Sequence, residues 1–171
     1  MGTIILIDGY NVIHSSFGMS KLLKSSKYQA QERLVSLVSK YCSWQDIEGY
    51  VVFDAYRRDC SASKEIISSR LKVVLTGRGE TADSYIERFV SLNKIDYEHI
   101  YVITSDYSQR RTLEDEKVLF LSPQNFLKEI ESCQNVLENY SSSLPKSRMR
   151  VFDCLKDEVR EKLEKIRYEL S

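Results

Sequence analysis

The stretch Thr3–Asn11, TIILIDGYN, constrains this chain more than any other. Thr3 to Ile7 are β-branched or aliphatic without a break, which fits a short strand buried on both faces, as in the middle of a parallel sheet. The run stops at Asp8 and Gly9, so a carboxylate stands at the carboxyl end of a central strand. In an open α/β sheet that edge is where ligands bind, because the strand ends leave a crevice between the loops that lead into the helices.

The rest of the chain alternates strand and helix. A polar stretch, Ser20–Lys27, reads as a loop or loose helix, and an amphipathic helix follows over Gln29–Cys42 with Leu34, Val35, Leu37, Val38 and Tyr41 on one stripe. Strands are expected at Tyr50–Phe53, Lys72–Leu75, Ile100–Ile103 and Val118–Leu121, with a short helix over Arg57–Arg70. Residues 80–94 form a strong amphipathic helix facing inward with Ala82, Ile86, Phe89 and Val90. Ser122 and Pro123 open another, Ser capping and Pro suiting the first turn. Leu144–Arg150 is a basic linker, and Val151–Leu170 is a charged helix with a thin apolar stripe. The expectation is one α/β domain over residues 1–143, a three-layer sandwich on a mainly parallel, about five-stranded sheet, with a linker and helical extension over 144–171.

At 42% hydrophobic and 29% charged residues, 171 residues suffice for one proper core. The formal net charge is zero, so any nucleic-acid binding must come from local patches. Cys42, Cys60, Cys133 and Cys154 are too far apart for a zinc cluster and suggest no disulfide framework. They read as reduced thiols of a cytoplasmic protein, and with no signal core or long apolar run no membrane role is expected.

The chemistry lies in the acids at the strand ends. Asp8, Asp54 and Asp106 follow the first, second and fourth expected strands, and Glu80 and Asp83 open the helix after the third. In parallel strands all five converge on one edge. Carboxylates crowded together raise one another's pKa unless a divalent cation neutralises them. Oxygen donors without His or Cys favour magnesium or manganese over zinc, and such sites handle phosphate. Each acid also has an ordinary alternative: a turn at Asp8, a helix cap at Asp54 or Asp106, dipole-favoured acids at Glu80 and Asp83. Asn11 either holds a backbone turn or orients a metal-bound water or a phosphate.

Around this edge Tyr10, Tyr56 and Tyr107 each lie within two residues of an acid, where an aromatic face could stack a base of a single strand. Arg57, Arg58, Lys64, Arg70, Lys72 and Arg78 form a locally basic tract that could carry a phosphate backbone or simply be a solvated surface. A haloacid-dehalogenase-like phosphatase would need a second aspartate at position 10, which is Tyr10. A response-regulator receiver would need one after the third expected strand, where Thr76 and Gly77 stand.

DGYN at Asp8–Asn11, VVFDAY at Val51–Tyr56, GETAD at Gly79–Asp83 and TSDY at Thr104–Tyr107, in this order and spacing, resemble the YacP-like NYN domain family, relatives of PIN nucleases. Within it the chain looks most like the bacterial ribosome-associated enzymes that cut messenger RNA in the ribosomal A site. The resemblance implies a PIN-like fold and metal-dependent RNA cleavage. It makes Asp8, Asp83 and Asp106 the metal-binding acids, with Asn11, Asp54 and Glu80 supporting them. The expected function is that of a magnesium- or manganese-dependent endoribonuclease, acting on messenger RNA with the ribosome as partner and leaving 5′-phosphate and 3′-hydroxyl ends. The alternatives are a non-catalytic RNA- or ribosome-binding module with a vestigial acid cluster, and a structure-specific DNA flap nuclease.

Overall fold

In the computed structural model, β1 (Gly2–Asp8) is the strand that the opening sequence calls for, and Ile4, Leu6 and Ile7 within it are wholly buried. The structure describes residues 2–54, 63–106, 113 and 115–143, with side chains to residue 135. Three helices follow β1: α1 (Gly9–Ser15), α2 (Phe17–Ser25) and α3 (Lys27–Gln45). Then come β2 (Glu48–Phe53), β3 (Ser63–Ile66), β4 (Leu71–Leu75), α4 (Ala82–Asn93), β5 (Tyr97–Ile103), β6 (Val118–Leu121) and α5 (Pro123–Ser143). The chain divides into two units, Met1–Gln134 and Asn135–Ser171. The sheet belongs to the first; of the second, only the last turns of α5 fall within the described residues. The basic linker and charged helix expected over 144–171 lie outside them.

The six strands run in the order β3-β4-β2-β1-β5-β6, and every pairing is parallel except β3 with β4. Alternation along β1 sends Ile5 and Ile7 to a core shared with α1, α2, α3 and the start of α5, and Ile4 and Leu6 to a second core under α4. The result is the three-layer α/β/α sandwich on a mainly parallel sheet that the sequence leads one to expect. Among the described residues no helix is long and apolar enough to cross a membrane.

Of the loop or loose helix expected over Ser20–Lys27, it is helix that forms, as α2 and the start of α3, because Ser16 and Ser26 each turn a side chain back to cap the next helix, accepting from Met19 N and Gln29 N. One element departs from expectation. The short helix expected within Arg57–Arg70 is replaced, where described, by strand β3, which makes the sheet six-stranded. The cause is non-local: β4 would otherwise leave a row of unpaired backbone groups, and Ser63–Ile66 pairs with it through a turn in which Ser68 Oγ accepts from Arg70 N and Leu71 N. Lys64 and Glu65 keep the new edge charged.

Glycine is required where α1 leaves β1. A Cβ on Gly9 would lie 2.2 Å from Cε1 of the buried Phe53 ring. Gly18, in α2, has open space around it. Gly9→Ala is therefore expected to lower unfolding free energy by roughly 1–3 kcal/mol through overpacking. Gly18→Ala should leave it unchanged or raise it by up to about 1 kcal/mol through helix propensity. Urea melts of the two variants check the contrast.

Candidate active site

The parallel register builds the site. Asp8 stands opposite Val52 of β2, Ile7 opposite Ile103 of β5, and Phe53 opposite Leu75 of β4. Asp8, Asp54, Thr76 and Thr104 are thus the residues at which these strands leave the sheet, all at its carboxyl edge. Asp83, in the first turn of α4, follows from the loop after β4.

Asp8 is buried, only 7% exposed, and both its oxygens are engaged by one residue. Asn11 N donates to Oδ1 at 3.0 Å and Asn11 Nδ2 to Oδ2 at 2.8 Å. Asp8 is therefore the cap of α1 as well as an acid of the site. Asn11 also ties β1 to β5: Nδ2 lies 3.4 Å from Thr104 Oγ1, and Ser105 Oγ donates to Oδ1 at 2.5 Å. Thr104 Oγ1 in turn accepts from Asp106 N at 3.0 Å, so one buried hydroxyl links Asn11 to Asp106. Asp54 accepts from Ala82 N at the start of α4, fixing that helix against the end of β2.

The acids act on one another. The Asp83 carboxyl is pushed up to about 6, chiefly by burial, then by the charges of Asp8, Asp106, Asp54 and Glu87. Asp8 is also raised, by burial first; the bonds from Asn11 oppose the shift and the charge of Asp54 adds to it. Strand register and the start of α4 hold Asp8, Asp54, Asp83 and Asp106 at one edge against this repulsion. Glu80 stands at the same edge, but Arg88 Nη2 holds its Oε1 at 2.6 Å.

The aromatic and basic candidates divide. Tyr10 packs edge-on against Phe53 at 5.3 Å, with its hydroxyl accepting from Gln31 and Lys27 Nζ above its ring. Arg70 and Lys72 lie toward the opposite end of β4, beside Asp46 and Glu48. Lys64 lies 3.2 Å from Tyr50 Oη on the α4 face of the sheet. Arg78 is exposed in the loop between β4 and α4. Arg57, Arg58, Tyr56 and Tyr107 lie outside the described residues.

Thr104, Ser105 and Glu87 belong to the site although no spacing argument selects them. Their signal is faint: a hydroxyl pair directly after an apolar run, and an acid one turn beyond Asp83. Among the described residues no group of three or more His, Cys, Asp or Glu side chains is arranged to hold a metal ion by itself. The donor set nonetheless suits magnesium or manganese, which bind through one or two carboxylates and complete their shells with water and substrate phosphate.

The raised carboxyl of Asp83 has a consequence for stability. Its folded pKa exceeds the unfolded value, so the native state holds the extra proton between about pH 4 and 6, and stability falls as pH rises through that window. In chelator, Asp83→Asn is expected to flatten this decline and to melt higher than the parent at pH 7. Thermal melts from pH 4 to 7.5 test it, and an unchanged slope would remove the assignment to Asp83.

Comparison with known proteins identifies the family. The family model of the YacP-like NYN domain matches residues 5–168. The Bacillus subtilis (strain 168) protein YacP is 30% identical over 165 residues, covering 96% of each chain. A crystal structure of Rae1 (YacP) from Bacillus subtilis aligns with a TM-score of 0.70 at 29% identity, covering 96% of this chain and 94% of that one. A crystal structure of a mutant of that protein aligns at 0.71 and 26%, covering 95% and 99%. With the family model spanning nearly the whole chain and a relative at 30% identity over 96% of it, the chain belongs to the YacP-like NYN domain family.

Proposed function

We propose that this protein is a metal-dependent endoribonuclease that hydrolyses phosphodiester bonds of messenger RNA, with the ribosome as its platform. The observation that carries the reading is the convergence of Asp8, Asp54 and Asp106, at the ends of parallel strands, and Asp83, in the first turn of α4, on one sheet edge. Crowded carboxylates are unfavourable alone and become favourable around a divalent cation and a phosphodiester.

Asp8, Asp83 and Asp106 are the residues that would hold the cation. A magnesium or manganese ion bound there supplies a Lewis acid and a water of lowered pKa. The surrounding residues keep these acids in place. Asn11 locks both oxygens of Asp8, and Thr104 Oγ1 holds the backbone of Asp106. Asp54, through Ala82 N, fixes the helix that carries Asp83. Glu80 is kept beside them by Arg88. Arg78, exposed in the loop that leads from β4 to α4, would meet a phosphate of the strand.

The roles give a graded expectation. Asp8→Asn and Asp83→Asn should each lower kcat/KM for RNA by roughly a hundredfold to a thousandfold. Asn11→Ala, which leaves the acids but frees Asp8, should cost about tenfold to a hundredfold. Cleavage of a translated messenger RNA is the assay, with and without ribosomes and with 5′-phosphate ends scored. Equal cleavage by parent and acid variants would reject the site.

Metal binding should also appear apart from turnover. Manganese is expected to raise the melting temperature of the parent at pH 7 and to raise that of Asp83→Asn much less, by mass action on the folded state. Calorimetric titration with manganese alone gives the same comparison, and identical shifts in both proteins would move the ion elsewhere.

A further inference from the structure

A cavity of about 650 Å³ opens on the α3 face of the sheet, between α3 and the strands β2, β4 and β3. Its volume is in the roughly 300–1,000 Å³ range of sites that take small organic groups. Its floor is apolar, made by Phe53, Val73 and Leu75, with Val35 on the helix side. Register explains the floor: residues 71, 73 and 75 of β4 face α3, and Ser63 and Glu65 of β3 lie opposite Leu75 and Val73 on the same face. The rim is polar, with Gln31 and Ser36 from α3, and Tyr28 stands at it with 71% of its surface exposed.

Part of this cavity's lining comes from the carboxyl ends of β2 and β4, the strand ends that also lead to the acid edge. Phe53 directly precedes Asp54, and Leu75 directly precedes Thr76. Gln31, on the rim, donates to the hydroxyl of Tyr10, two residues after Asp8, and the Tyr10 ring packs on Phe53. A strand crossing the acids therefore has, within reach on one side, an apolar floor, an exposed aromatic ring and a rim of hydroxyl and amide groups. That combination matches an unstacked base, whose faces are apolar and whose edges form hydrogen bonds. It does not match the phosphate backbone, since Glu32 and Glu65 outnumber Lys40 among its lining residues.

We infer that the cleft between α3 and β4 is a base-binding subsite for single-stranded RNA, in which a nucleotide next to the cleaved phosphate leaves the stack and lies against Tyr28. The inference rests on the RNA-cleaving reading above and adds to it the part of the substrate that is recognised.

The test measures binding and cleavage separately, using the full chain. Short single-stranded RNAs carrying a fluorescent adenine analogue at successive positions are titrated in chelator, where no metal-dependent cleavage occurs. In the parent, the analogue should change its fluorescence at one position. Tyr28→Ala should weaken binding roughly tenfold, while Tyr28→Phe retains it. Ser36→Trp, at an exposed position of α3, should obstruct the cleft and weaken binding similarly. Removing the base at the responsive position should make parent and Ser36→Trp bind alike. Circular dichroism and melting curves confirm that the variants fold.

Equal affinities of parent, Tyr28→Ala and Ser36→Trp would overturn the inference, as would no RNA binding by the parent. So would a sedimentation shift showing that Ser36→Trp breaks a self-association seated in the cleft. Cleavage in magnesium, run in parallel, keeps the two readings apart. Cleavage with KM unmoved by either substitution rejects the base site and keeps the nuclease, whereas the expected binding pattern without cleavage does the reverse.

Discussion

A carboxylate buried at the end of a central strand must be satisfied, and the way Asp8 is satisfied shapes everything around it. Asn11 supplies a donor to each of its oxygens, one from the backbone and one from the side-chain amide. This pair fixes the first turn of α1, which must start at a glycine because Phe53 already occupies the space a side chain would need. The same Asn11 meets Thr104 and Ser105, so the bond that settles the buried acid also joins the ends of β1 and β5. The buried members of this network, Asp8 and Thr104, are favourable only when their bonds are made, which limits where Asp8 and Asp106 can stand.

The electrostatics at the edge run against stability. Asp54 is committed to the start of α4 and Asp8 to the start of α1, so these acids cap helices while standing beside others of like charge. The fold holds Asp83 among them at the cost of a raised carboxyl pKa. Such an arrangement has a use when a cation and a phosphodiester enter, because the charge that was repulsive then becomes attraction. Among the described residues Arg70 and Lys72 stay beside Asp46 and Glu48. Aromatic and apolar surface is gathered in the cleft floored by Phe53 and rimmed by Tyr28.

Much of this was legible in the chain. The uninterrupted apolar run before Asp8 calls for a central strand, and each later run of four or more aliphatic or aromatic residues forms a strand where expected. The helical stripe of Ala82, Ile86 and Val90 packs into the core as its period requires. Since parallel strands all present their carboxyl ends to one edge, the acids that follow them had to converge. Nothing local, by contrast, marks SKEI at Ser63–Ile66 as a strand: it is short, charged and exposed, and pairs only because β4 needs a partner. Tyr10 looks from its position like a stacking platform, yet its surroundings in space make it a packing residue between Phe53 and α3.

The sequence by itself determined the five parallel strands, the edge and the acids at that edge, because hydrophobic period and strand-end residues are local properties that survive any rearrangement of loops. Only the tertiary structure decided which side chains serve the acids. Asn11 reaches Thr104 and Ser105 across more than ninety residues, and Asp54 reaches Ala82 across twenty-eight. It likewise decided that Glu80 is held by Arg88 and that α3 stands off from β4 to leave a cleft. Contacts between residues so far apart follow from strand register and helix packing, which no short stretch of sequence encodes.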